Sequence, residues 1–277
     1  MENRIHASLS LLTWKSPETL RATLTSLAPI AEAFQDRLVL CQEGHSAEIA
    51  LALDFGYRAQ VTTENLGILG GLKEAVLRAK CDPVLLLEND AHFLGTAEDI
   101  DTLTYIAKQL SENKVDFACL MDRRKGPRPR YFKYWKKTWP PQRKLTGLLR
   151  PATAEAIKAD AIALMPEGEQ SCDFAKTLSQ ALWQTSSHSY MWSNRAKFVS
   201  KSFFLQKLTA FAQANPTERR VNGLIDLEHQ INAPQQRHWY RKQAFDIILH
   251  KTGLFGHARY DRPDNDEKWE TGIPLEE

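Results

Sequence analysis

Four consecutive apolar residues, Val84-Leu85-Leu86-Leu87, end at Glu88-Asn89-Asp90. A strand wet on one side alternates apolar and polar residues. An unbroken Val/Leu run after a turn signal, here Pro83, suits a strand buried on both faces, as in a parallel sheet. Ligands of such sheets sit outside the carboxyl ends of the strands, where Glu88 and Asp90 fall. Spaced two apart, the two acids share one face if the strand continues. If the chain turns, both can still point into the cleft. Hard oxygen donors in a cleft suit Mg2+ or Mn2+, with phosphate oxygens and water completing the shell. The same polar residues also suit an ordinary strand-ending turn, so the neighbouring segments must decide.

Those segments alternate strand and helix. Residues 7–13 read as a first strand. Ser16-Pro17-Glu18 then supplies an N-cap, a proline at the first helical position and an acid in the first turn. Leu20, Leu24 and Leu27 follow at helical spacing. Residues 38–41 are a short buried strand, with a helix at 47–53 and a third strand at 59–62. Glu64-Asn65-Leu66-Gly67 and Gly70-Gly71 form a Gly-rich loop opening a helix with Leu72, Ala75, Val76 and Ala79 on one face. This order implies a doubly wound, mostly parallel α/β sheet flanked by helices. Beyond Asp90 we expect a helix capped by Thr96 and a strand at 115–121. Helices at 152–159, 174–183, 202–211 and 226–242, and strands at 189–198 and 245–249, should follow. The expected organisation is one domain: a ligand-binding α/β half at 1–94, a mainly helical half at 95–260, and a polar tail at 261–277.

The 277 residues show no apolar run near the roughly 20 needed to span a bilayer. Residues 1–6 lack the charged and apolar regions of a signal peptide. The four cysteines are scattered without a C-x-x-C pair, which argues against structural zinc and a disulfide framework. A cytoplasmic protein is expected. The net charge of +2 hides an asymmetry: residues 123–144 hold ten Lys/Arg and no acid, leaving 26 basic against 34 acidic residues elsewhere.

Four segments, in order, resemble a family-2-type, GT-A-fold glycosyltransferase. Ser10 to Pro17 resembles the family's opening strand and turn, which meets nucleotide base and ribose. Leu38 to Ser46 resembles the second strand, with Gln42-Glu43 where the family carries two aspartates. Asn65-Leu66-Gly67 resembles its Asn-x-Gly loop, and Glu88-Asn89-Asp90 its metal-binding D-x-D, with Glu for the first Asp. The resemblance covers about residues 7–94. Two later elements also match: Glu228, near Asp226, resembles the acidic start of the helix carrying the catalytic base, and His257 resembles the C-terminal histidine that completes the metal shell.

The resemblance implies an inverting, metal-dependent hexosyltransferase. It would move sugar from a nucleotide-diphosphate donor to a glycan or glycolipid acceptor, in a setting such as bacterial surface-polysaccharide synthesis. It assigns Thr13, Trp14, Lys15, Glu43, Asn65, Gly67, Glu88 and Asn89 to the donor, Glu88, Asp90 and His257 to Mn2+ or Mg2+, and Glu228 or Asp226 to the base. Each residue also has a plain structural reading: a turn acid for Glu43, helix–sheet spacing for Gly70-Gly71, a solvent-facing acid for Glu228, a packed histidine for His257. The basic stretch, with Tyr131, Phe132, Tyr134, Trp135 and Trp139 among its cations, suits an anionic membrane surface, an anionic acceptor or a loop over the site. A nucleic-acid partner is not expected. The run Ser189 to Arg195 suits either sugar stacking or a core edge. A nucleotidyltransferase on a related sheet and a non-catalytic basic module are the alternatives.

Overall fold

The computed structural model describes residues 4–122, 176–187, 190–221 and 223–261. The basic stretch 123–144, the helix expected at 152–159 and nearly all of the tail lie outside them.

The chain runs β1 (Ile5–Thr13), α1 (Pro17–Ala31), β2 (Phe34–Gln42), α2 (Ser46–Asp54), β3 (Arg58–Thr62), α3 (Gly67–Arg78), β4 (Val84–Glu88) and α4 (Asp99–Ser111). There follow β5 (Phe117–Cys119), β6 (Lys176–Thr177), β7 (Leu182–Ser186) and β8 (Lys197–Val199). A π-helical segment (Phe203–Thr209) leads into α5 (Ala210–Ala214), then α6 (Leu227–Asn232), α7 (Arg237–Lys242) and β9 (Asp246–His250). Among the described residues nine strands form one sheet, ordered β3-β2-β1-β4-β8-β5-β9-β7-β6. The β3-β2-β1-β4 portion is wholly parallel. Strand β8 is antiparallel to both β4 and β5, and β9 is parallel to β5. This is the α/β, doubly wound architecture with flanking helices expected from the sequence.

The apolar run 84–87 explains the layering. Leu85 and Leu87 pack with Leu20, Leu24 and Leu27 of α1 and Leu103 and Ile106 of α4. Val84 and Leu86 point the other way, to Leu72 and Val76 of α3 and to Phe203 and Phe204. Each such side chain, taken fully from water, contributes about 2 kcal/mol. Helix α3 crosses close to the sheet at Gly71, where a Cβ would lie 2.7 Å from Leu12 Cδ1 and 3.2 Å from Gln42 Cδ. Gly71 thus has the spacing role read from the sequence.

Three expected elements are corrected. Residues 176–183 are not helical: β6 and β7 form a hairpin, with Leu178 N–H bonded to the Leu182 carbonyl at 3.0 Å. Leu182 and Trp183 enter opposite cores, a period of two that a helix cannot give. The strand expected at 189–198 shrinks to β8. Within the run before it, Tyr190, Met191 and Trp192 are buried, and Trp192 packs against Phe117, Phe203 and Phe204. These rings are core, not a sugar platform. The single helix expected at 226–242 is two, α6 and α7, broken at Ala233-Pro234, where proline removes a donor and pushes its predecessor out of the helical region (Ala233 ψ 144°).

Candidate active site

The register aligns the carboxyl ends of the first strands. Leu12 lies opposite Leu40 of β2 and Glu88 of β4. From β1 the chain winds outward through β2 and β3, then returns to place β4 on the other side of β1. The crevice between β1 and β4 is therefore a topological switch point. A solvent-open cleft lies there, lined by Thr13, Trp14, Asn65, Gly67, Glu88, Asn89 and Asp90 among others. The C-terminal half adds Leu224, Ile225 and Arg259. Gly67 has a φ of +69°, and a Cβ there would meet Leu224 Cβ at 2.7 Å, so glycine sets the approach of these two walls.

Thr13 is fixed from behind. Its hydroxyl donates to Glu48 Oε1 at 2.5 Å, and Ser16 N–H donates to the same oxygen at 2.9 Å. Asn89 Nδ2 donates to Thr13 Oγ1 at 3.3 Å, which ties the β1 end to the β4 end. Glu48 is 0% exposed and was missed in the sequence, where an acid in a helix's first turn reads as routine. Glu43 is not part of the cleft lining. Lys15 Nζ lies 2.5 Å from its Oε2, and Trp14 Nε1 donates to that oxygen at 2.9 Å. These two contacts hold the Glu43 carboxyl below its ordinary value. Its neighbour Gln42 lines the cleft instead and accepts from Leu66 N–H at 2.7 Å.

The chain turns after β4, with Ala91 N–H bonded to the Glu88 carbonyl at 3.1 Å. Asp90 is 2% exposed. Its Oδ2 meets His257 Nε2 at 3.0 Å and Arg259 Nε at 2.5 Å, while Oδ1 is buried without a partner. Burial favours the protonated form of Asp90, but His257 and Arg259 outweigh it and hold the carboxyl well below the usual range. Arg259 was not singled out in the sequence, because a lone arginine near the C-terminus carries no motif.

Asp226 caps α6: Oδ1 accepts from His229 N–H and Oδ2 from Asn194 Nδ2, each at 2.8 Å. Asn194 also donates its backbone N–H to Glu228 Oε2 at 3.1 Å, so one residue positions both acids. Burial raises the Glu228 carboxyl; the Asn194 hydrogen bond opposes this and the Asp226 charge adds to it. Glu88 is raised further, first by burial and then by the charges of Asp90 and Asp226, with a smaller push from Glu228. The fold thus brings the four acids into one electrostatic neighbourhood.

Among the described residues, no three His, Cys, Asp or Glu side chains stand grouped as a finished metal cage. The donor chemistry nevertheless fits a hard divalent ion. Asp90 offers a buried oxygen with no partner, Glu88 a carboxylate crowded by like charge, and His257 a ring nitrogen on the same acid.

The crowding has a stability consequence. A folded Glu88 with its carboxyl above the ordinary 4.5 binds more protons than the unfolded chain across the window between the two values. Stability therefore falls as pH rises through that window, and the full cost is present only above the folded value. In chelator, as pH rises above the ordinary 4.5, Glu88→Gln should come to melt higher than the parent, by about 2–4 °C for a gain of about 1 kcal/mol. The gain should vanish at acid pH, below both values. Melting curves across pH check this, and a lower melting temperature for the variant at neutral pH would count against a crowded carboxylate.

A scan against protein-family models finds no match, and a search of curated proteins finds none either. Among solved structures, the chain is similar to mannosyltransferase PcManGT from Pyrobaculum calidifontis in complex with GDP-Man and Mn2+ (16% identity, TM-score 0.37, 49% of this chain and 41% of that one). It is also similar to S. aureus TarS 1-349 (15% identity, TM-score 0.46, 91% and 60%). A third is glucosyl-3-phosphoglycerate synthase from Mycobacterium tuberculosis in complex with Mn2+, UDP and glucosyl-3-phosphoglycerate (12% identity, TM-score 0.46, 93% and 72%). The chain thus spans less than two thirds of the length of the first two proteins.

Proposed function

We propose that the chain is a metal-dependent, inverting glycosyltransferase that moves a hexose from a nucleotide-diphosphate donor to a hydroxyl of a glycan or glycolipid. The observation that carries this reading is the convergence of two acid pairs. Glu88 ends β4 with Asp90 two residues beyond it, Asp226 and Glu228 open α6, and the charges of the second pair reach Glu88. One pair suits a leaving diphosphate and its cation; the other suits proton removal from an acceptor.

In this reading Thr13, Trp14 and Lys15 receive the nucleoside at the end of β1, where Glu48 holds the turn. Glu43 fixes Trp14 and Lys15, and Asn65 and Gly67 border the sugar. Asp90, Glu88 and His257 hold Mn2+ or Mg2+, which when bound supplies Lewis-acid neutralisation of the leaving diphosphate. Glu228 takes the proton of the acceptor hydroxyl. Its raised carboxyl is a stronger base than an ordinary glutamate, while Asp226 is committed to capping α6. No helix among the described residues is long and apolar enough to cross a membrane.

A thermal-shift panel of UDP-, GDP-, CMP- and dTDP-sugars, each with and without Mn2+, tests the proposal. One nucleotide class should raise the melting temperature in a Mn2+-dependent way, because ligand bound only to the folded state stabilises it by mass action. Indifference to every donor, with and without metal, would overturn it.

A further inference from the structure

After β9 the chain returns across the cleft end of the sheet. Its first part is held by backbone: Leu94 N–H to the Leu254 carbonyl at 2.8 Å, Gly256 N–H to His92 at 2.8 Å and Ala258 N–H to Asp90 at 3.0 Å. Its last part is held largely by side chains. Arg259 reaches Asp90 Oδ2, and Tyr260 N–H donates to Thr19 Oγ1 at 2.9 Å. Asp261 lies across the first turn of α1, accepting from the backbone N–H groups of Glu18 and Thr19, each at 2.8 Å.

We propose that residues 259–261 form an internal strap whose Arg259 guanidinium occupies the charge position of the divalent ion at Asp90, and that ion binding and strap closure exclude one another. Asp261 is the latch that holds the strap to α1. The inference rests on the metal reading above.

Three observations carry it. First, the contact is one-sided: Arg259 engages one Asp90 oxygen through Nε, not the two-pronged arrangement that makes arginine–carboxylate pairs durable. Second, the Asp90 side chain is 2% exposed while that of Arg259 is 40% exposed, so the acid is the buried partner of the pair and the cation the one nearer solvent. Third, a divalent ion accepted by the same carboxylate would stand beside the guanidinium, and like charges a few ångströms apart repel strongly in a partly buried site. A closed strap therefore lowers apparent metal affinity by the fraction of molecules in which it is open.

Titration of chelator-stripped full-length protein with Mn2+ alone, followed by calorimetry or by the paramagnetic signal of free Mn2+, tests this. Arg259→Ala should bind Mn2+ about tenfold tighter than the parent, as for a strap closed nine-tenths of the time. Asp261→Asn should tighten binding by a smaller factor. In the parent, Mn2+ should speed hydrogen exchange at the amides of Glu18 and Thr19 as the latch lets go. Equal or weaker Mn2+ binding in Arg259→Ala overturns the strap while leaving the metal reading intact. Mn2+ binding by neither protein overturns both. Unchanged exchange at the two amides in the Mn2+-loaded parent overturns the latch.

Discussion

Asp90→Asn should lower sugar transfer at least about a thousandfold while leaving the protein folded. The substitution keeps the backbone carbonyl that receives Ala258 N–H, so segment 254–258 stays in place. What changes is charge. Asp90 loses its ion pair to Arg259 and the charge behind its His257 contact, but Glu88 loses the charge that contributes most to crowding it. Because the Arg259 side chain is 40% exposed, its pair is discounted to about 1 kcal/mol. Relief of Glu88 opposes that loss with a similar magnitude, and the melting temperature should move by only a few degrees. Transfer has no such compensation, since an amide is a poor ligand for a hard cation competing with water. Donor hydrolysis and transfer, each titrated with Mn2+, check this. Metal-dependent transfer within tenfold of the parent would remove Asp90 from the site.

The two halves of the chain were legible in the sequence to different degrees, for a physical reason. Strands β1, β2 and β4 are covered on both faces, and β2 and β4 show apolar runs that end in polar residues at the ligand end, whereas the edge strand β3 is only half-buried and shows no such run. That pattern pointed to Glu88 and Asp90 at the end of β4, whereas Thr13 and Asn89 were named only through the resemblance. Beyond α4 the strands among the described residues have two to five residues and the helical segments five to seven, too short for a period to declare itself. Trp183 and Leu182 alternate faces, but two residues cannot announce an alternation. The supporting residues were hidden for another reason. Glu48, Asn194 and Arg259 act through partners 32 to 169 positions away, a closeness that only the folded sheet creates. Gln42 was seen beside Glu43 but given the lesser part. The backbone at Glu43 has a φ of +61°, which turns its carboxylate to the rim and leaves Gln42 facing the cleft.

The two acids of α6 should separate by experiment. Glu228→Gln keeps the side-chain length and an oxygen for Asn194 N–H but removes the basic lone pair. Its kcat should fall about 100- to 10,000-fold, with donor KM within about threefold of the parent. A base works deprotonated, so the parent's kcat should rise with pH through a value above the ordinary 4.5 of a glutamate, and the variant should lack that rising limb. Asp226→Asn should behave differently. Both Asp226 oxygens receive hydrogen bonds, from His229 N–H and Asn194 Nδ2, and an asparagine must turn its NH2 toward one of these donors. The loss should be about 1–2 kcal/mol of stability, seen in denaturant melts. Removing the Asp226 charge also withdraws one of the influences that raise Glu228, so the rising limb should survive and move to lower pH. A Glu228→Gln enzyme that keeps kcat within threefold, or an Asp226→Asn enzyme that loses the limb altogether, would transfer the proton to Asp226 and make Glu228 the positioning acid.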